Sequence, residues 1–110
     1  MQFIPPDQDA HAGALAIAND ADVLALANTV QGQSAVALHF PKWTDGRAYS
    51  QAVLLRARLR FAGEIRATGE VLADMLPLLR RCGFDAVQLR ADQQQAHAER
   101  ALGFFSTHYQ

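Results

Sequence analysis

The stretch Phe40-Pro41-Lys42-Trp43-Thr44-Asp45-Gly46-Arg47-Ala48-Tyr49-Ser50 gathers two cations, a carboxylate, hydroxyls and an indole into one short segment. It follows an apolar run and precedes a helical pattern, the strand-to-helix junction at which α/β proteins bind ligands. Lys42 and Arg47, beside the backbone N–H groups of a helix start, suit an anion such as phosphate, sulfate, sulfite or a carboxylate. The structural alternative is that Thr44 or Asp45 caps the helix and Arg47 pairs with Asp45 in solvent. Trp43 either covers a ligand or partner surface or packs over the end of the sheet.

Further along, Arg66 lies between Ile65 and Ala67 in a strand pattern, so its side chain points to one face of a sheet or into a barrel. A buried guanidinium needs a partner: Asp45, Glu64, Glu70 or a bound anion. Otherwise it snorkels from a strand end to water. Thr68 and Gly69 follow at the strand end and are expected to converge with Lys42, Trp43, Thr44 and Arg47 as ligand-binding residues. Asp45 and Glu70 are the candidate acid and base, with helix capping as the competing role. His39 ends a strand on the same side and reads as a structural hydrogen-bonder. His97 and His108 belong to the last helix and read as solvated.

The elements that must position these groups alternate. Leu15–Ala18 is a short strand, and Asp20 or Asp22 caps a helix over 23–28, unless the two merge into one longer helix. Ser34–Phe40 is a near-continuous apolar run, as in a strand covered on both faces. Ala48, Ala52, Leu55 and Leu59 mark one face of a helix, with Arg56, Arg58 and Arg60 largely off it. Glu64–Thr68 is a third strand. Val71, Leu72, Met75, Leu76 and Leu79 are helically spaced, with Pro77 inside the helix, where it is expected to bend it. Gly83 fits the left-handed residue after that helix. Phe84–Arg90 alternates like a strand near an edge, Asp92 and Gln95 form a capping box, and Ala98, Leu102, Phe105 and Tyr109 line a final helix.

This βαβαβαβα order predicts an α/β fold of repeated βα units with a parallel sheet. Two forms compete: half of a (β/α)8 barrel, or a small open doubly wound sheet. Either places a ligand site at the strand carboxyl ends. The half barrel leaves uncovered edges and favours a homodimer. Residues 1–13, rich in Pro, Asp, His and Gly and without a period, read as a flexible leader to a single domain over 14–110.

The 110 residues carry a formal net charge of −1, unevenly spread. Residues 1–45 hold five Asp against one Lys; residues 46–90 hold eight Arg against four acids. The basic middle suits an anionic ligand or acidic partner, but the bias is too weak for nucleic acid, and no aromatic-basic platform is present. No apolar run approaches membrane-helix length, and the first residues lack the pattern of a signal peptide, so a cytoplasmic location is expected. The lone Cys82 cannot close an internal disulfide, fits a reducing compartment and reads as buried and structural. With scattered histidines it builds no zinc or iron–sulfur site. Dinucleotide and P-loop glycine motifs and a nucleophile elbow are missing, so no cofactor is indicated.

The Phe40–Arg47 stretch with Tyr49-Ser50 resembles the signature of a bacterial domain-of-unknown-function family. Gly63-Glu64-Ile65-Arg66-Ala67-Thr68-Gly69-Glu70-Val71-Leu72 and Arg81-Cys82-Gly83-Phe84-Asp85-Ala86 resemble its second and third blocks, in the same order. The likeness is closest over 34–92. Trp43 stands where the family usually has Phe, and the segment before residue 34 is shorter than usual. Members are short bacterial proteins described as probable oxidoreductases of sulfite reduction, typically encoded beside sulfite reductase. The resemblance implies an accessory protein of assimilatory sulfite reduction, binding sulfite reductase, another sulfate-assimilation protein or a small oxyanion. The alternative it implies is a small oxidoreductase acting on a sulfur oxyanion with a cofactor supplied by a partner. The family carries over no catalytic residues.

Overall fold

A computed structural model describes the backbone of residues 1–108 and the side chains of residues 1–103. Five parallel strands form one open sheet in the order β1-β5-β4-β3-β2: β1 Gln2–Phe3, β2 Leu15–Ile17, β3 Ala35–Phe40, β4 Glu64–Gly69 and β5 Ala86–Val87. The helices are α1 Ala27–Val30, α2 Arg47–Ala57, α3 Leu76–Cys82 and α4 Gln95–His108, with 3-10 turns leading into α1 and α3. A parallel sheet was the expectation, and the consecutive order β2-β3-β4-β5 follows from repeated right-handed crossovers.

Strand alternation sends Val36, Leu38, Phe40, Ile65, Ala67 and Val87 to one face. There they form a single core with Ala52 and Leu55 of α2, Leu76 and Leu79 of α3, and Ala98 and Leu102 of α4. The helices touch in sequence, α2 on α3 and α3 on α4. They therefore make one layer on one side. This is the connectivity of the half-barrel reading, left open; among the described residues the helices share one face of the open sheet. Phe105 and Tyr109, assigned to the α4 core face, lie outside the described side chains.

The other face is covered by the segment expected to be a flexible leader. β1 pairs in parallel with β5, Gln2 opposite Ala86 and Phe3 opposite Val87. The chain must then reach β2 at the opposite edge, so residues 4–14 cross the helix-free face as a strap. Gln88 donates from Nε2 to the Pro5 carbonyl at 2.9 Å and the Gln8 carbonyl at 2.7 Å. Ala10 is buried. The N-terminal residues thus belong to the same folded unit as residues 14–108, and covering on both faces explains why Ala35–Leu38 are buried throughout.

Three local expectations shift. β5 lies inside the sheet, between β1 and β4, and both its residues are buried. Pro77 falls in the first turn of α3, where its missing N–H costs nothing, rather than inside the helix. Asp92 does not cap α4; it pairs with Arg90. Gly83 takes the left-handed conformation expected of it, φ 108°.

Candidate functional site

The carboxyl ends of β3 and β4 meet at one rim. Phe40 pairs with Gly69, and the backbone N–H of Glu70 donates to the Phe40 carbonyl at 2.8 Å. Gly69 has φ 93°, and a Cβ there would collide with the Phe40 carbonyl and lie 2.7 Å from the His39 ring. Only glycine lets the two strand ends close in this way.

At this rim the expected ligand-binding residues separate into three environments. Lys42, Trp43 and Thr44 stand on the exposed loop before α2 and Arg47 is the exposed first residue of α2 itself, with Trp43 54% exposed. Lys42 makes no ion pair among the described residues. Arg47 keeps a side chain 66% exposed, its Nε 4.0 Å from Asp45. Thr68 is buried and donates from Oγ1 to the Leu38 carbonyl at 3.3 Å, with the His39 Nδ1 3.5 Å away. The backbone of Gly69 is taken up in the turn, its carbonyl accepting from Val71. Thr68 and Gly69 therefore build the rim from inside; the exposed loop is what faces solvent.

Arg66 leaves the rim altogether. It faces away from the helices, beside Ala37 and Ala86, and its Nε donates to Glu64. Its Nη1 donates to the carbonyls of Ala10 at 3.1 Å and Ala12 at 2.6 Å. Of the partners considered, Glu64 is the one it takes, and the strap takes its Nη1. The strap, not an anion, answers the demand of a mostly buried guanidinium.

The two candidate proton movers also have structural work. The Asp45 Oδ1 accepts from the Arg47 backbone N–H at 3.0 Å, tying off the start of α2. Glu70 lies 3.6 Å from Arg90, which also holds Asp92. That hydrogen bond holds the Asp92 carboxyl below its usual pKa and raises that of Arg90. Cys82 behaves as a partly buried thiol whose pKa burial pushes up, against a smaller opposing effect of Arg81. Among the described residues no cluster of His, Cys, Asp or Glu could hold a metal ion.

Two residues carry more than their sequence positions suggested. Arg56 reads as an outward arginine, yet it donates to the carbonyls of Gly83, Phe61 and Gly63 and pairs with Asp85. Three of these partners are backbone carbonyls, which sequence does not display. Gln51 lies on the core face of α2, three residues after Ala48 and four before Leu55, and is only 5% exposed. A polar residue among those apolar spacings was the available signal. Its Nε2 reaches the carbonyls of Ala18 at 2.9 Å, Asn19 at 3.3 Å and Ala21 at 3.1 Å, fixing the loop after β2 against α2. Asn19 in turn donates from Nδ2 to the His39 carbonyl at 3.0 Å.

Cavities open at both ends of the sheet. One of about 610 Å³ lies at the strand amino ends, lined by Met1, Arg56, Gly63, Glu64 and Asp85 among others. Of its charged groups, Arg56 and Asp85 pair with each other and Glu64 pairs with Arg66. Another of about 340 Å³ lies at the carboxyl ends, between the loop after β2 and α2. No helix among the described residues is long and apolar enough to cross a membrane.

A family model described as a bacterial protein of unknown function (DUF934) matches residues 14–110. The match begins where the strap ends and extends well beyond the 34–92 core of the sequence likeness. No curated protein and no solved structure matches the chain.

Proposed function

This chain belongs to the bacterial family of unknown function DUF934, and from that premise we propose that it is a binding module rather than a free-standing catalyst, docking an acidic partner protein through the Lys42–Arg47 rim. The observation that carries this reading is the exposed Trp43 between two solvent-facing cations, Lys42 and Arg47, on a loop anchored by Asp45 and the closed β3–β4 rim. Tryptophan and arginine dominate the energetics of protein interfaces, because they combine large apolar area with directional polar contacts. An exposed indole on a rigid edge is therefore suited to insertion into a partner. The flanking cations steer a partner of opposite charge and raise its association rate.

The motif resemblance supplies the partner class: sulfite reductase or another protein of sulfate assimilation, with this chain in an accessory role. Asp45, which accepts from the Arg47 N–H, and Glu70, which lies beside Arg90, are engaged in local structural contacts, which supports binding over chemistry at this rim.

Titration of the chain against purified sulfite reductase, followed by Trp43 fluorescence and calorimetry, tests the reading. Saturable binding that Trp43→Ala weakens at least tenfold, and that Lys42→Glu slows in association at low salt, is expected. No binding to the reductase, with variants behaving like the parent chain, removes the proposal.

A further inference from the structure

The buried Gln51 amide leaves one demand unmet. Its Nε2 serves the Ala18, Asn19 and Ala21 carbonyls, which fixes the amide orientation, because a flip would set oxygen against oxygen. Its Oε1 is buried and has no donor among the described residues. An unpaired buried acceptor costs about 1–3 kcal/mol, and native proteins leave few of them. Gln51 lines the 340 Å³ cavity at the strand carboxyl ends, together with Asn19, Asp20, Asp22, Arg47 and Ser50. That volume is within the range of small-molecule sites, and its place at the strand ends is where such folds bind ligands.

The lining has two poles. Asp20 and Asp22 offer carboxylates on the loop after β2; Asp22 uses only its Oδ1, on the Leu24 N–H. Arg47 and Ser50 offer a cation and a hydroxyl from the first turn of α2. Ala21, Val23 and Leu54 supply apolar lining. A ligand matching both poles carries an ammonium group toward the aspartates and a carboxylate toward Arg47, with a short side chain on the apolar lining. Gln51 holds the loop that carries these aspartates against α2 through the Ala18, Asn19 and Ala21 carbonyls.

We propose that this cavity binds a free amino acid in its zwitterionic form. The site is separate from the Trp43 docking surface and shares only Arg47 with it.

The test is a titration of the isotopically labelled full chain with L-serine, L-cysteine and L-leucine, read from backbone amide resonances. Acetate and methylammonium serve as the two half-ligands. At least one amino acid is expected to give saturable shifts in residues 19–24 and 47–54, with each half-ligand binding at least tenfold more weakly. Asp20→Asn is expected to weaken binding about tenfold, the worth of one charge-assisted hydrogen bond. Asp20 is exposed, so this variant leaves the core intact. Acetate acting as well as the amino acids, Asp20→Asn without effect, or no shifts at millimolar concentration each overturn the proposal. Because Trp43 lies outside the cavity lining, Trp43→Ala should leave amino-acid binding intact. Failure here and failure of partner docking are therefore read independently.

Discussion

At the strand amino ends, Arg56 directs its donors to Gly83, Phe61, Gly63 and Asp85, whereas at the carboxyl rim Arg47 faces solvent with its nearest carboxylate 4.0 Å away. The two arginines bound the same helix, α2. One locks the C-terminal end of α2 to the loops before β4 and β5. The other, with Lys42 and Trp43, remains available. A cation therefore points to a ligand only after the main-chain carbonyls that might claim it have been counted. Arg66 makes the same point from inside the sheet: it was a candidate anion-binding residue, and Glu64 and two strap carbonyls take its Nε and Nη1.

The sharpest way to break this comparison is at Arg56. Arg56→Met should destabilise the chain by about 3 kcal/mol, because several carbonyls lose their donor at once. Urea unfolding followed by circular dichroism measures it, and a loss comparable to an ordinary surface change would show that Arg56 is no more fixed than Arg47. Next in size is Gly69→Ala, expected to cost about 2 kcal/mol through the left-handed backbone and the collision with Phe40. The same unfolding curve reports it; a neutral result means that the rim closes less tightly than described.

Arg66→Ala should cost about 1–2 kcal/mol and, more specifically, loosen the strap. Limited proteolysis should then cut within residues 5–13 faster than in the parent chain, and an unchanged rate would assign the strap to Gln88 and β1 alone. At the other rim, Lys42→Glu and Trp43→Ala should shift stability by no more than about 0.5 kcal/mol. A large loss there would turn the exposed loop into a structural element and erase the contrast.

The smallest effect concerns Cys82, whose pKa burial raises. The folded chain holds the thiol proton more firmly than the unfolded chain does. The resulting stability is present below the pKa of the unfolded thiol and is lost as pH rises through that of the folded one. Alkylation by iodoacetamide near neutral pH should therefore be slower in the folded protein than in urea.

Much of the architecture was legible because it depends on local periodicity. The apolar run of β3, the spacing of Ala48, Ala52 and Leu55, and the glycine after α3 each follow from which face must leave water. At the start of α2 neither Thr44 nor Asp45 is the N-cap: Gly46 holds that position, and Asp45 only accepts from the Arg47 N–H. The strap was not. Its β1 is two residues long, and nothing in Gln2-Phe3 announces a strand whose partner, Ala86-Val87, lies more than eighty residues away. Gln51 was half legible: its place among apolar spacings was visible, but not the three carbonyls it holds.

By itself the sequence determined the alternation of strands and helices from β2 onward and their parallel pairing. Hydrophobic periodicity and short right-handed crossovers leave few alternatives once the pattern is set. Only the tertiary structure decided which cations are consumed and which stay open, and that the N-terminal residues close the bare side of the sheet. Those outcomes turn on backbone carbonyls brought together from distant parts of the chain, and a carbonyl looks the same in every residue until the fold gives it a neighbour.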